Sequence, residues 1–236
     1  MMASWISSHS HGYNIVVSNA NDALLCKKDS KIKEAVNNSS LSVPDGISLV
    51  LLAKLKGYKL KKRVYGPDLM FEFLKLSEIK GYSHFFYGAT EETLGLLIKN
   101  LKELFPGLKI AGTYSPPFKP LSKEEDAGVV NIINKANPDV LWIGLGCPKQ
   151  QLWMYEHKDK LRIPVMVGVG AAFDFLAGTK LQAPRWIRDN GFEWLFRLVT
   201  EPKRLWRRYL VDCPLFVYYV LLDTISKFLT GIRVRN

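Results

Sequence analysis

Two glycine-containing segments of this chain place polar side chains directly after apolar, strand-like runs. The first is GLGCPKQQLW at residues 144–153, and the second is VGVGAAFD at residues 167–174. In an open α/β sheet, turns from strands into helices line the crevice where ligands bind. Glycines allow close approach of the backbone, while Gln150 and Asp174 offer hydrogen-bonding groups. The pattern predicts a site for a nucleotide or another phosphate-bearing ligand.

Asp45 is the carboxylate whose position best fits acid–base chemistry. It lies in Pro44-Asp-Gly46, directly after a short predicted strand. One interpretation is a plain turn aspartate, because Pro-Asp-Gly is a common turn sequence. The other is a general base at the carboxyl end of a strand, able to take a proton from an attacking hydroxyl. The residues alone leave both interpretations open.

Three arginines near the C-terminus are spaced for action on an anion. Arg197, Arg204 and Arg207 are separated by seven and three residues. On one continuous helix they would share a face within roughly 80°, unless Pro202 interrupts that helix. Such a face suits contact with lipid headgroups.

Composition narrows the class of protein. The 236 residues are 47% hydrophobic and carry a net charge of +11, which suits nucleic acid, anionic lipid or anionic metabolites. The densest positive charge, at residues 203–208, precedes an apolar segment, a pattern that favours a membrane surface over nucleic acid. No apolar run reaches the length of a membrane span. Three separated cysteines indicate a reducing compartment, most simply the cytosol.

The elements that must position these side chains alternate regularly. Strands are predicted at residues 14–17, 41–43, 84–87, 108–112, 140–143 and 164–167, and helices at 21–36, 47–55, 68–79, 91–104, 123–136 and 149–158. This alternation predicts an α/β fold, a mostly parallel sheet with helices on both faces. After Gly178 the chain is aromatic, and Pro202 and Pro214 divide it into about three helices. We therefore predict a catalytic domain at 1–192 and a helical appendage at 193–236.

Seven segments, in this order, make the chain resemble the WecG/TagA/CpsF family of glycosyltransferases over almost its whole length. They are Asn19-Ala-Asn21, Pro44-Asp-Gly46, RVYGPDL at 63–69, the runs at 144–153 and 168–178, EWLFRL at 193–198, and Glu201-Pro202 with Arg204. The resemblance implies a bacterial, inverting enzyme that needs neither metal nor cofactor. Its donor would be a UDP-sugar and its acceptor an undecaprenyl-diphosphate-linked sugar, in the synthesis of a cell-surface polysaccharide. It also implies a Rossmann-like core and a C-terminal appendage that docks on the cytoplasmic face of the membrane.

The resemblance assigns roles to individual residues. It makes Asp45 the base, gives Arg63 and the three C-terminal arginines catalytic roles, and places Gln150 near the donor. The remaining substrate-binding candidates are Asn19, Asn21, Gly144, Gly168, Gly170 and Asp174. Phe118 is a further candidate from its residue type alone, since an aromatic ring there could stack on uracil or serve packing. Asn19 stands where the family usually has threonine, and Gln151 where many relatives have glutamate. The expected partners are the donor, the lipid-linked acceptor and an anionic membrane surface, without nucleic acid; self-association into a homo-oligomer is left open.

Two other classes of protein compete with this interpretation. An NAD-dependent enzyme would explain the glycine turns, but GVGAAF at 168–173 lacks the third glycine of the dinucleotide fingerprint and follows the last predicted strand. A non-enzymatic, basic module that binds membrane or nucleic acid would explain the charge, but neither the glycine turns nor Asp45.

Overall fold

The computed structural model describes residues 1–8, 10–60 and 62–233, with side chains up to residue 224. Six strands form a single sheet in which every pair of neighbours is parallel, in the order β2-β1-β6-β5-β3-β4. The strands are β1 (Tyr13–Ser18), β2 (Leu41–Pro44), β3 (Ser83–Gly88), β4 (Lys109–Tyr114), β5 (Val140–Gly144) and β6 (Val165–Gly168).

Helices connect the strands and continue beyond the last one. They are α1 (Met2–Ser7), α2 (Ala20–Lys28), α3 (Ser30–Asn37), α4 (Ile47–Leu55), α5 (Gly66–Lys80), α6 (Glu91–Leu104), α7 (Lys123–Ala136), α8 (Lys149–His157), α9 (Ala172–Ala177), α10 (Arg185–Asp189), α11 (Glu193–Thr200), α12 (Pro202–Arg207) and α13 (Cys213–Arg233). A π-helical turn, Arg208–Asp212, joins α12 to α13.

The core lies on both faces of the sheet, because successive strand residues point to opposite sides. On β5, Trp142 packs with Phe173 of α9 on one face, whereas Leu141 and Ile143 pack with Met154 of α8 on the other. Burial on both faces explains why the strands are apolar runs rather than alternating ones. The predicted Rossmann-like α/β class is confirmed, with the sheet parallel throughout.

Two predictions at the amino-terminal end were incomplete. The single helix predicted over residues 21–36 is two helices, because Asp29 has extended backbone and its side chain accepts hydrogen bonds from Lys31 N–H and Ile32 N–H as the cap of α3. Helix α1 was not predicted. It is held by burial of Met2 and Ile6 in the core.

The C-terminal region is helical, as predicted, but its break differs from a simple proline kink. Glu201 has non-helical backbone angles (φ −133°, ψ 55°), and Pro202 occupies the first turn of α12, where a missing N–H costs nothing. The three predicted arginines therefore lie on two helices, because the chain is interrupted at Pro202, as the sequence allowed, and they do not share the face of one continuous helix. Within the described part of the chain, no helix is both long and apolar enough to cross a bilayer. Residues 234–236, the end of the predicted appendage, lie outside the described residues.

Candidate active site

A cleft with two lobes lies at the carboxyl edge of the sheet. The polar lobe, about 200 Å³, is lined by the turns after β1, β5 and β6. The apolar lobe, about 410 Å³, lies between the start of α4 and helices α11 to α13. The residues that line both lobes are Asn19, Asn21, Asp45, Arg197 and Arg208. The cleft is thus continuous, and Asp45 stands where the lobes meet.

The glycine turn after β6 shapes the polar lobe. Gly170 has a positive φ of 53°, and its N–H donates to Gln150 Oε1 at 3.1 Å. A Cβ on Gly168 would come within 2.9 Å of Met154 and 3.0 Å of the Gln150 amide. Backbone and a buried amide side chain therefore form the wall, as expected for a site that a ligand's phosphate or ribose approaches closely.

Asp45 is held directly after β2, where its N–H donates to Ser18 O at 2.6 Å. Burial, reinforced by the negative charge of Glu193, raises the pKa of Asp45 to about 7; the charges of Arg63, Arg197 and Arg208 act in the opposite direction. A carboxyl group with a pKa near neutrality, at the junction of two lobes, is suited to accept a proton there.

Arg63 is positioned by a buried ion pair and an aromatic ring. Its guanidinium lies 2.8 Å from Glu193 of α11 and 4.8 Å from the centre of the Tyr65 ring, and the Arg188 guanidinium lies 5.0 Å from the centre of the same ring. Arg63 lines the apolar lobe, beside Asp45. The ion pair between Arg63 and Glu193 therefore links the segment before α5 to the C-terminal helices, across the cleft.

The C-terminal arginines do not act as one set. Arg197 lines both lobes, and its buried Nε has no hydrogen-bond partner among the described residues. Arg204 lines the polar lobe while its Nε and Nη2 donate to the two Glu201 carboxylate oxygens, both at 2.7 Å. Arg207 is exposed and lines neither lobe. Arg208, which sequence reasoning missed, lines both.

Asn19 and Asn21 line both lobes, and the structure gives Asn19 a local role as well. Asn19 Oδ1 accepts from Asn21 N–H at 3.0 Å, and Asp22 accepts from Asn19 N–H at 2.8 Å, a reciprocal cap at the start of α2. Asp22 also accepts from Gln151 Nε2 at 3.0 Å. Burial raises the pKa of Asp22, whereas hydrogen bonds from Cys147 and the Asn19 N–H lower it. This buried network fixes the floor of the polar lobe.

Three predicted substrate-binding residues are not brought to the cleft. Asp174 lies on α9 and pairs with Lys180 at 2.7 Å, and Phe118 is 90% exposed in the loop before α7. Gly144 is covered by Phe173, which a Cβ there would approach within 2.7 Å, so this glycine serves packing of β5 against α9. None of the three lines either lobe.

Asp22 and Arg208 line the cleft but were not predicted as site residues, and only one of them has a recognisable sequence signal. Asp22 stands three residues after Asn19, the spacing of a capping box, so its pairing was readable. Arg208 was not, because its direction depends on the π-helical turn. Among the described residues, no three His, Cys, Asp or Glu side chains cluster in a way that would hold a metal ion.

Comparison with known proteins shows to which family this chain belongs. Residues 1–228 match the model of the "Glycosyl transferase WecG/TagA/CpsF family". The chain therefore belongs to the WecG/TagA/CpsF family of glycosyltransferases, which confirms the predicted family and enzyme class.

Curated relatives cover most of the chain. A protein of Bacillus spizizenii W23 is 32% identical over 89% of this chain and 79% of its own length. A Bacillus subtilis 168 protein is 29% identical over 85% and 75%, and a Staphylococcus aureus NCTC 8325 protein 31% identical over 79% and 71%. All three are named N-acetylglucosaminyldiphosphoundecaprenol N-acetyl-beta-D-mannosaminyltransferase.

Proposed function

We propose that this enzyme transfers a sugar from a UDP-sugar to the sugar of an undecaprenyl-diphosphate-linked acceptor, in the synthesis of a cell-surface polysaccharide. The names of the three relatives support a lipid-diphosphate acceptor and make N-acetylmannosamine the first donor sugar to test. The two lobes fit two substrates of different character, one a soluble nucleotide and the other a lipid.

The donor occupies the polar lobe in this proposal. The backbone at Gly168 and Gly170 receives the nucleotide at the strand ends, and Gln150 orients the turn. Arg204 and Arg208 border the same lobe and supply positive charge to the diphosphate.

The acceptor occupies the apolar lobe. Ile47, Trp194, Tyr209 and Val217 line it and suit the first isoprene units of a polyprenyl chain. Arg63 beside them suits the acceptor diphosphate, and the acceptor sugar then reaches the junction at Asp45. Helices α11 to α13 carry exposed aromatic and basic residues, which supports a peripheral position on the inner face of the membrane.

Asp45 performs the proton transfer. Its carboxylate takes the proton from the acceptor hydroxyl while that oxygen bonds to the anomeric carbon of the donor sugar. The bond from that carbon to the diphosphate oxygen breaks, UDP leaves with the electron pair, and the configuration inverts. Arg197 and Arg208, which line both lobes, balance the developing charge, a task for which other enzymes use a metal ion.

One observation carries the proposal: Asp45, with a pKa near 7, borders both the nucleotide-type lobe and the lipid-type lobe. A panel of UDP-sugars, each incubated with the enzyme and a synthetic N-acetylglucosaminyl-diphosphate-lipid, tests it. We expect one UDP-hexose derivative to yield a disaccharide-diphosphate-lipid of inverted linkage. Thermal shift separates the NAD alternative, since UDP should stabilise the protein and NAD should not. Stabilisation by NAD alone, with no transfer in the panel, would contradict the proposal.

A further inference from the structure

Helix α4 is an apolar helix that the fold leaves largely uncovered. Between Ile47 and Leu55 it is apolar at every position except Ser48 and Lys54, yet Val50 is its one buried residue. Leu51 is 52% exposed and Leu55 85% exposed. Ile47, Leu51 and Leu55 recur every four residues and so share one side of the helix. An apolar helix face that is exposed and not packed in the core indicates contact with something outside the described chain.

Exposed lysines lie next to this apolar face, one near the end of α4 and two in the segment after it. Lys54, Lys59 and Lys62 are exposed, and Tyr58 between them is 66% exposed. Apolar side chains on a helix, flanked by lysines and a tyrosine, are the composition of elements that lie in the interface of an anionic bilayer. Catalytic Asp45 lies directly before this helix, so whatever contacts α4 is close to the reaction.

The α4 face continues into the apolar lobe and the C-terminal helices. Ile47 lines that lobe opposite Trp194 and Val217, and a Cβ on Gly191 would come within 3.3 Å of Ile47. At the other end of α4, Lys56 lies 3.2 Å from Asp223 of α13. The exposed surface of α4 and the exposed side of α11 to α13 therefore flank the opening of the apolar lobe.

We propose that Leu51, Leu55, Tyr58 and the three lysines form a second membrane-binding element, the α4 surface, which inserts into an anionic bilayer beside the apolar lobe. The inference rests on the proposed function, in which a lipid-linked acceptor enters that lobe from the membrane. The α4 surface and the C-terminal helices, on opposite sides of this opening, would hold the apolar lobe against the bilayer. The acceptor diphosphate would then reach Arg63 without leaving the headgroup region.

Sedimentation with vesicles tests the α4 surface without any sugar substrate. The full chain carrying Leu51→Gln and Leu55→Gln is compared with wild type on vesicles of phosphatidylglycerol and phosphatidylcholine. We expect the partition coefficient to fall by about tenfold or more, since two leucines no longer enter the interface. The matched control is Ile79→Gln with Leu104→Gln, two exposed apolar residues at the amino edge of the sheet, which should bind vesicles like wild type.

A second variant keeps the test independent of the leucines. Lys54→Gln, Lys59→Gln and Lys62→Gln together should weaken binding to phosphatidylglycerol vesicles and leave binding to pure phosphatidylcholine unchanged. Unaltered vesicle binding by both variants would overturn the inference. So would a smaller oligomer of the leucine variant in lipid-free sedimentation equilibrium, since that would assign the α4 surface to a second copy of the chain.

Activity assays separate this inference from the proposed function. With a short, water-soluble acceptor the leucine variant should turn over like wild type, because Leu51 and Leu55 line neither lobe. With the polyprenyl acceptor in vesicles its apparent KM should rise. Weakened vesicle binding in a protein that transfers no sugar would sustain the α4 surface and refute the proposed function; full vesicle binding with normal transfer would do the reverse.

Discussion

Two adjacent arginines illustrate how much depends on the direction of a single side chain. Arg207 ends α12 and is exposed, whereas Arg208 begins the π-helical turn and borders both lobes. No carboxylate within the described chain lies within ion-pairing distance of Arg208. Burial raises the pKa of both Asp22 and Asp45, and the charge of Arg208 opposes that rise. A π-helical turn commonly marks a functional position, and here it directs a cation into the cleft.

Alanine at Arg208 should therefore lower turnover far more than alanine at Arg207. We expect a loss on the order of 10²-fold in kcat for Arg208→Ala, the scale for removing one group that stabilises transition-state charge. Arg207→Ala should remain close to wild type in kcat and in vesicle binding. Steady-state kinetics of the two variants on the same acceptor provide the comparison, and a larger defect in Arg207→Ala would reverse the assignment.

The raised pKa of Asp45 predicts how activity depends on pH. The base must be ionised to accept a proton, so kcat/KM should rise with pH and level off above a midpoint near 7. An aspartate at its ordinary pKa of 3.8 would leave the profile flat across this range. The profile measured from pH 5.5 to 8.5 distinguishes the two, provided that substrate ionisation is controlled with a second donor.

Stability should change with pH in the opposite direction. Because the folded pKa is raised, the folded state binds the Asp45 proton more tightly than the unfolded state, and the Asp45 contribution to stability is lost as pH rises from about 4 to about 7. Asp45→Asn removes that cost. The Tm of this variant relative to wild type should be more favourable at pH 8 than at pH 5, and a difference independent of pH would contradict the raised pKa.

At the scale of elements, strands were easier to predict than helix ends. All six strands were predicted within two residues, since a sheet buried on both faces requires continuous apolar runs. The helix predicted over residues 21–36 ran through Asp29, whereas the structure divides it there with a cap in which the Asp29 side chain accepts hydrogen bonds from Lys31 N–H and Ile32 N–H. Phe118 and Asp174 were assigned to the site by residue type, which does not tell whether a side chain reaches the cleft: Phe118 is 90% exposed, and Asp174 pairs with Lys180.

The C-terminal helices are predicted to build the site as well as to anchor it. Ending the chain after Thr200 removes Arg204 and Arg208 from the polar lobe, and Tyr209 and Val217 from the apolar lobe. Transfer to a short, water-soluble acceptor, for which membrane docking is irrelevant, should then fall by roughly 10²-fold or more. Circular dichroism and Tm verify that the remainder is folded. A truncated enzyme as fast as the full chain would make these helices an anchor alone.

At the scale of the whole molecule, we propose chemistry that does not require a metal ion. Arg63, Arg197, Arg204 and Arg208 surround the cleft and provide the positive charge that a diphosphate leaving group needs. Turnover should therefore persist in excess EDTA. Strict dependence on Mg²⁺ or Mn²⁺, restored by adding the ion back, would contradict this. Whether the chain forms a homo-oligomer, and whether residues 1–192 and 193–236 behave as separate domains, stay predictions.

The two-lobed cleft could not be predicted as such, because it forms only when the turns after β1, β5 and β6, which are separated in the sequence, come together with the C-terminal helices. The chemistry of its centre could: the Pro-Asp-Gly turn after β2 pointed to Asp45 as a candidate base, and the family resemblance assigned it that role.

The rate of sugar transfer by Asp45→Asn, measured together with its affinity for UDP, tests whether Asp45 is the general base. The substitution keeps the size of the side chain and removes its ability to accept a proton, while Gly168, Gly170 and Gln150, which we propose to receive UDP, are unchanged. We expect a loss of about 10²–10⁴-fold in kcat, with a calorimetric Kd for UDP close to that of wild type. Turnover near the wild-type rate in Asp45→Asn would contradict that role.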